Sequence, residues 1–229
     1  MDILPLDLIG NIAEFIDCDN DKCCLMMTCK WISKCKFRFY QTINLKKILQ
    51  SRWFHYFTDI NAVDAVPFPL HITHLTFFDS FDKNIENKIP STVTHLTFGY
   101  QFNQPIMGCI PSSVRKIVFG YFFDQPIENC IPPNITHLKF GNCFNQMITN
   151  NIPKTITHLI LGCHFKHPIR GLSNLSVTHL TLCACYEKWN DITKISSITN
   201  LFFNGLIDEI KKSQIINSLS RDNLSITFQ

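Results

Sequence analysis

Apolar residues recur along most of this chain at a fixed interval of 21 positions. Stepping by that interval from Thr94-His95-Leu96 reaches Thr73-His74-Leu75 in one direction. In the other it reaches Arg115-Lys116-Ile117, Thr136-His137-Leu138, Thr157-His158-Leu159, Thr178-His179-Leu180 and Thr199-Asn200-Leu201, with no insertion between them. Seven units in one phase define a repeat array. One apolar column runs Ile72, Val93, Val114, Ile135, Ile156, Val177, Ile198, and a second runs Leu75, Leu96, Ile117, Leu138, Leu159, Leu180, Leu201. A third is aromatic or Leu, from Phe77, Phe98 and Phe119 to Phe140, Leu161, Leu182 and Phe203. Four positions on lie Phe81, Phe102, Phe123, Phe144, Phe165 and Tyr186, followed by Ile85, Ile106, Ile127, Ile148 and Ile169.

Within a unit the Leu and Phe alternate with polar neighbours, as a half-buried strand requires, so one unit is one short strand and a return path. A single unit cannot bury its apolar face; stacked units share a continuous apolar column. Pro69, Pro90, Pro111, Pro132 and Pro153 precede the strands, where a missing N–H does no harm to the ladder. Gly99, Gly120, Gly141 and Gly162 follow them, predicting a sharp exit from the strand with positive φ. Further prolines at Pro105, Pro126 and Pro168 argue against helix on the return side, which is expected to consist of turns and extended segments.

Ile110-Pro111-Ser112-Ser113-Val114, Thr94-His95-Leu96-Thr97-Phe98-Gly99 and Phe102-Asn103-Gln104-Pro105-Ile106 together resemble the FNIP repeat, a short relative of the leucine-rich repeat. The resemblance spans about residues 68 to 206 and implies a solenoid of about seven coils with one parallel strand each. Unit three departs from it with Arg115-Lys116, and the last unit lacks the Pro and Phe positions.

The first 45 residues carry helical spacing instead. Leu8, Ile9, Ile12, Phe15 and Ile16 fall on one helix face behind Pro5 and Asp7. A polar break at Asp17 to Asp21 precedes a second helical segment with Cys24, Leu25 and Cys29, and a third follows over Lys30 to Phe39. Leu4-Pro5, Asp7, the Leu8-Ile9-x-x-Ile12 face and Thr28-Cys29-Lys30 before Trp31 resemble the F-box, over about residues 2 to 42. That resemblance implies docking to the adaptor subunit of a cullin-RING (SCF-type) ubiquitin ligase, with Leu4, Pro5, Leu8, Ile9, Ile12 and Leu25 as adaptor-binding residues. The plainer reading makes the same residues an N-terminal helical cap on the solenoid. F-box and FNIP pairings are a habit of amoebae and of the large DNA viruses that infect them, and a viral source would imply redirection of a host ligase.

The expected organisation is therefore α+β. It comprises a three-helix F-box-like module (1–45), a packed apolar connector (46–67), the solenoid (68–206) and a C-terminal cap (207–229). In the cap, Leu206 to Leu219 reads as a helix with Ile207, Ile210, Ile215 and Leu219 on or near one side, and Leu224-x-Ile226-x-Phe228 alternates as a strand.

Strand alternation turns the residues beside Leu outward, so the expected target-binding face is a double row. His74, His95, Lys116, His137, His158 and His179 form one line, and Thr76, Thr97, Val118, Lys139, Ile160 and Thr181 the other. The second line varies over a fixed scaffold, which offers an extended surface for a partner, with the loop edge of the coils as the alternative recognition surface. A zinc ladder of histidines is disfavoured, since no carboxylate column accompanies them and Lys116 interrupts the row. The Asn103, Asp124, Asn145 and Gln104, Gln125, Gln146 columns read as turn chemistry.

Charge adds a little to this picture. Charged residues make up 17% of the chain and the net charge is +3, which does not suggest a nucleic-acid partner. No apolar run is long enough to span a membrane, so a cytoplasmic or nuclear protein is expected. The 11 cysteines contain no C-x-x-C pair, and Cys183-x-Cys185 stands alone, so reduced thiols packed as small apolar groups are expected, with no metal and no cofactor. Nucleophile elbow, P-loop and dinucleotide fingerprint are all lacking, and the acidic residues form no paired column, so no enzyme is expected. A carbohydrate-active parallel β-helix would need several strands per coil and a carboxylate cluster. A ligase substrate receptor is the expected function, with a protein-binding scaffold lacking any ligase link as the alternative.

Overall fold

The computed structural model describes residues 59–62, 68, 72–219 and 223–228. The three-helix module expected over 1–45, including Leu4, Pro5, Leu8, Ile9, Ile12 and Leu25, lies outside the described residues.

Among the described residues, nine strands form one sheet in sequence order. They are β1 (Asp59–Ala62), β2 (His74–Phe77), β3 (His95–Thr97), β4 (Lys116–Val118), β5 (His137–Lys139), β6 (His158–Ile160), β7 (His179–Cys183), β8 (Asn200–Asn204) and β9 (Ser225–Phe228). Every pairing is parallel, and from β2 to β8 the register follows the repeat: Leu75 faces Leu96, then Ile117, Leu138, Leu159, Leu180 and Leu201. All of these are buried to within 1%. A one-residue slip would move every Leu to the solvent face, so the apolar columns fix the register.

Behind the sheet the phenylalanines form two stacks, one over four successive coils and one over five. Phe77, Phe98, Phe119 and Phe140 follow one another with ring centroids 5.5, 5.3 and 5.4 Å apart and nearly parallel rings. Phe81, Phe102, Phe123, Phe144 and Phe165 do the same at 6.1 to 6.3 Å. Within a coil the two stacks touch, as Phe119 and Phe123 do at 3.9 Å. Each such ring contributes on the order of 1.5–3 kcal/mol by burial alone, and stacking adds to that.

The punctuation works for reasons that differ in part from expectation. The Pro90, Pro111, Pro132 and Pro153 carbonyls accept from the amides of Val93, Val114, Ile135 and Ile156, so each proline opens a tight turn that leads into the strand. Gly99, Gly120, Gly141 and Gly162 do not have positive φ. They are glycine because the coil beneath is too close: a β-carbon on Gly120 would fall 1.8 Å from the carbonyl oxygen of Gly99, and one on Gly141 1.8 Å from that of Gly120. Left-handed backbone belongs to another column, Asn87, Gly108, Asn129 and Asn150, with φ of 54, 69, 55 and 66°. Asn and Gly tolerate that region best.

Three features depart from the sequence reading. β1 pairs Asp59 with His74, only 15 residues on, so the sheet begins inside the segment expected to be a connector. The return paths of the last coils contain two short 3-10 helices, Arg170–Asn174 and Trp189–Lys194, that bury Leu172 and Ile192. Finally α1 (Glu209–Leu219) buries Ile215 and Leu219, while Ile210 is 74% exposed. β9 then extends the sheet, with Ile226 opposite Leu201 and Phe228 opposite Phe203.

Candidate functional site

The residues expected to face a target all lie on the solvent side of the sheet, in two parallel lines. His74 and Lys116 are exposed and His95, His137, His158 and His179 half-buried; Lys139 is exposed, and Thr76, Thr97, Val118, Ile160 and Thr181 are half-buried. The structure joins the histidines into stacks. His74 and His95 lie 4.1 Å apart at 14°, and His137, His158 and His179 follow at 4.1 Å and 12°. Lys116 sits in register between His95 and His137 and separates the two stacks.

The threonine before each histidine explains the pairing. Thr136, Thr157 and Thr178 donate their hydroxyls to the carbonyls of Arg115, Thr136 and Thr157, at 3.2, 3.2 and 3.3 Å. Each hydroxyl also lies 2.9 Å from Nδ1 of the next histidine. These contacts hold each ring at a fixed orientation over the sheet, and the direction of the Thr–Nδ1 hydrogen bond follows from the tautomer of the ring. Burial lowers the His137 and His158 pKa values; Lys116 and His179 add to this for His137, and His137 and His179 for His158.

Val118, Lys139 and Ile160 form one wall of a surface cavity of about 440 Å³. Its other walls include Tyr100, Tyr121 and Asn142 from the turns that follow the strands. Tyr100 stacks on Tyr121 at 4.8 Å, and Phe122 meets Tyr100 edge-on; Tyr100 and Phe122 remain 46% and 45% exposed. The cavity thus takes the varied line of the expected face and none of the histidines. Tyr100, Tyr121 and Phe122 were absent from the sequence-derived set, although their positions just after Gly99 and Gly120 place them on the same end of the coil.

Three and four residues on from Tyr100 and Tyr121, the Asn/Asp and Gln columns bridge coils instead of closing turns. Asp82 Oδ1 accepts from the Asn103 amide and the Gln104 side chain, Asn103 Oδ1 from Asp124 and Gln125, and Asp124 Oδ1 from Asn145 and Gln146, all at 2.8 to 3.0 Å. This ladder is structural and satisfies amides that the short strands leave unpaired.

The geometry just described, one strand per coil with Phe, Asn and Pro in fixed places, agrees with the family comparison. The model for the FNIP Repeat matches residues 65–101, 102–143 and 144–174. Three FNIP repeats thus lie within residues 65–174. Among solved structures, the chain is similar to CroV588, described as a novel circular LRR protein structure. The identity is 32% over 66% of this chain and 27% of that one, with a TM-score of 0.47. This chain therefore spans about a quarter of that protein's length. No curated protein matches the chain.

Where the last matched FNIP segment meets the coil that follows it, the structure assembles a group that linear spacing had hidden, Cys163 from the segment and Cys183 and Cys185 from beyond it. Cys183 Sγ lies 2.9 Å from both Cys163 Sγ and Cys185 Sγ. The three sulfurs all lie within 4.8 Å of one another. Cys163 is one coil away from its partners, so only arithmetic on the repeat columns could have found it. The reading of Cys183-x-Cys185 as solitary is thereby corrected. Hydrogen bonding to Cys183 and burial push the Cys163 thiol up to about 12. Burial opposes ionisation of Cys183, but contacts from Cys163 and Cys185 and the Lys211 charge outweigh it, and its thiol falls below the ordinary value. Cys109 and Cys130 fit the expected small apolar role: both are buried, and burial raises both thiols.

No helix among the described residues is long and apolar enough to cross a membrane.

Proposed function

We propose that this chain is a non-catalytic protein-recognition subunit in which the FNIP solenoid holds a target protein. The single observation that carries the reading is the row Thr76, Thr97, Val118, Lys139, Ile160 and Thr181. Six side chains of four kinds, three Thr with Val118, Lys139 and Ile160, stand in register on one sheet face, over apolar columns that vary far less. A stack of coils that varies one outward position at a spacing of about 4.8 Å offers a long, shallow surface suited to a polypeptide. The neighbouring Tyr100, Tyr121 and Phe122 supply the large, rigid, amphipathic rings that protein interfaces favour. Nothing in this row is arranged to transfer a proton or activate a nucleophile.

The F-box resemblance of residues 2 to 42 extends the proposal. Leu4, Pro5, Leu8, Ile9, Ile12 and Leu25 dock an SCF-type adaptor, and the solenoid places its target near the ubiquitin-charged enzyme. The mechanism is positional, because tethering raises effective concentration without any reacting side chain here.

Co-purification of the intact chain with the adaptor and cullin tests the ligase arm. Capture by the intact chain and its loss in Leu8→Asp/Ile12→Asp, with the solenoid still folded, is the expected result. No capture by the intact chain leaves a scaffold without a ligase link. Proximity labelling with Lys139→Glu tests the recognition arm: neighbours shared with the wild type in full would remove the sheet face from the proposal.

A further inference from the structure

Cys183 occupies the column in which the preceding coils have glycine: Gly99, Gly120, Gly141 and Gly162 lie at successive steps before it. A side chain is admitted here because the coil leaves the sheet later. β7 runs on to Cys183, which pairs with Asn204, and the Ala184 amide donates to the Asn204 carbonyl. The exchange also alters the ladder on the other side. In the preceding coils the residue two past the glycine position donates its amide to the coil before: Gln101 to Asp79, Phe122 to Tyr100, Cys143 to Tyr121 and His164 to Asn142. At the equivalent place Cys185 reaches the Cys163 carbonyl with its sulfur, at 3.0 Å. A backbone link repeated in four coils is replaced by a thiol, and that replacement is what draws Cys185 over Cys163 and Cys183.

We propose that Cys163, Cys183 and Cys185 bind one thiophilic d10 cation, zinc or monovalent copper. The donor set consists of three sulfurs within 4.8 Å of one another, with no carboxylate or imidazole among them, and thiolates select this class of ion. A metal–sulfur distance of about 2.3 Å sets tetrahedral ligands about 3.8 Å apart. The 2.9 Å pairs therefore open by roughly 0.9 Å on binding, a small rotation for Cys185, whose side chain is exposed. Access is open from two sides. Cys163 and Cys183 line the cavity of about 440 Å³ beside the sheet, and Cys163 and Cys185 line a second of about 470 Å³. A three-sulfur site at the junction of two surface cavities leaves room for a fourth ligand from solvent or from a bound partner. Cations also face it. Lys211 Nζ is held 2.7 Å from the Ala184 carbonyl, and Lys166 and Lys188 line the second cavity, partly opposed by Glu187. Their charges offset those of the thiolates.

The test uses the full chain, reduced and stripped of metal, titrated anaerobically with zinc, with cobalt as its coloured substitute, and with monovalent copper against a chelator. Wild type is expected to bind about one equivalent more of zinc or of copper than Cys163→Ala/Cys185→Ser does, with sulfur-to-cobalt charge-transfer absorption that the variant lacks. Cys163→Ala puts at that position the residue that Ala184 already provides one coil on, and Cys185→Ser alters an exposed group, so both variants are expected to fold. Cys143→Ser should bind as wild type does. The difference measurement cancels any ion held by the remaining cysteines. Equal stoichiometry in wild type and the double variant overturns the proposal, as does recovery of a stable disulfide within the trio under conditions that keep other thiols reduced.

Discussion

The α-carbon of Gly141 approaches the chain of the coil beneath so closely that a β-carbon there would sit 1.8 Å from the carbonyl oxygen of Gly120. No backbone can yield that much locally without breaking the stack. Gly141→Ala is therefore expected to destabilise the array by more than about 3 kcal/mol, a strain of the kind that overpacking produces. Gly108 provides the contrast, because nothing lies within 4 Å of its would-be β-carbon and only its φ of 69° resists substitution. Gly108→Ala should cost about 1 kcal/mol, and Gly108→Asn, which copies Asn87, Asn129 and Asn150, less than that. Chemical-denaturation midpoints of the three variants would check this order; equal losses would refute the close-approach argument.

A second prediction concerns the aromatic stacks. Phe140→Ala should remove about 3–5 kcal/mol, since the ring touches Phe119 and Phe144 and the cavity cannot collapse between rigid coils. Phe140→Leu should lose only about 1–2 kcal/mol, because Leu161 and Leu182 already occupy the same column in later coils. Similar losses for the two would mean that the stack is not tightly packed.

The polar ladder gives a third. Asp124 Oδ1 receives both the Asn145 amide and the Gln146 side chain. Asp124→Ala leaves a partly buried amide unpaired and is expected to cost about 1–3 kcal/mol, whereas Asp124→Asn, the residue at 103 and 145, should be nearly neutral. Amide hydrogen exchange at Asn145 would locate the effect: faster exchange in the Ala variant only is the expected result.

Acid should weaken the histidine stacks. The pKa values of His137 and His158 lie below 6.5 when folded, so the unfolded chain takes up protons first as pH falls. Stability contributed by the neutral rings is thus complete above about pH 6.5, declines as pH falls through that value, and levels off below the folded pKa values. Denaturation midpoints between pH 8 and 5 should fall in wild type and fall less in His158→Gln. A midpoint that rises on acidification would reverse the sign and reject the account.

How far the chain could be read beforehand differs from element to element. Strands β2 to β8 were legible because Leu75, Leu96, Ile117 and their successors repeat without insertion, and the phenylalanine columns fixed which face is inside. β1 was missed because Asp59 precedes His74 by 15 residues, out of phase with every other coil. The glycine column was placed correctly but explained by φ, since close approach between coils leaves no trace in a single repeat. Ile210 looked like part of the α1 face, yet that helix packs through Ile215 and Leu219. The cysteine trio escaped a search for C-x-x-C because its members meet across coils, 20 and 22 positions apart. Of the expected binding face, the outward double row was visible in the alternation, while the tyrosines beside it became relevant only when the turns were seen to rise next to Val118 and Lys139.

The uniform length of the coils bears on how such a gene can change. Duplicating or deleting one whole coil returns every downstream leucine and phenylalanine to its stack, so the protein can lengthen or shorten its recognition surface in a single genetic event. A one-residue insertion inside a strand would turn the side chains beyond it in that strand to the wrong face. The variety that distinguishes one such protein from another is thus confined to two kinds of change, the number of coils and the side chains displayed on their outer line.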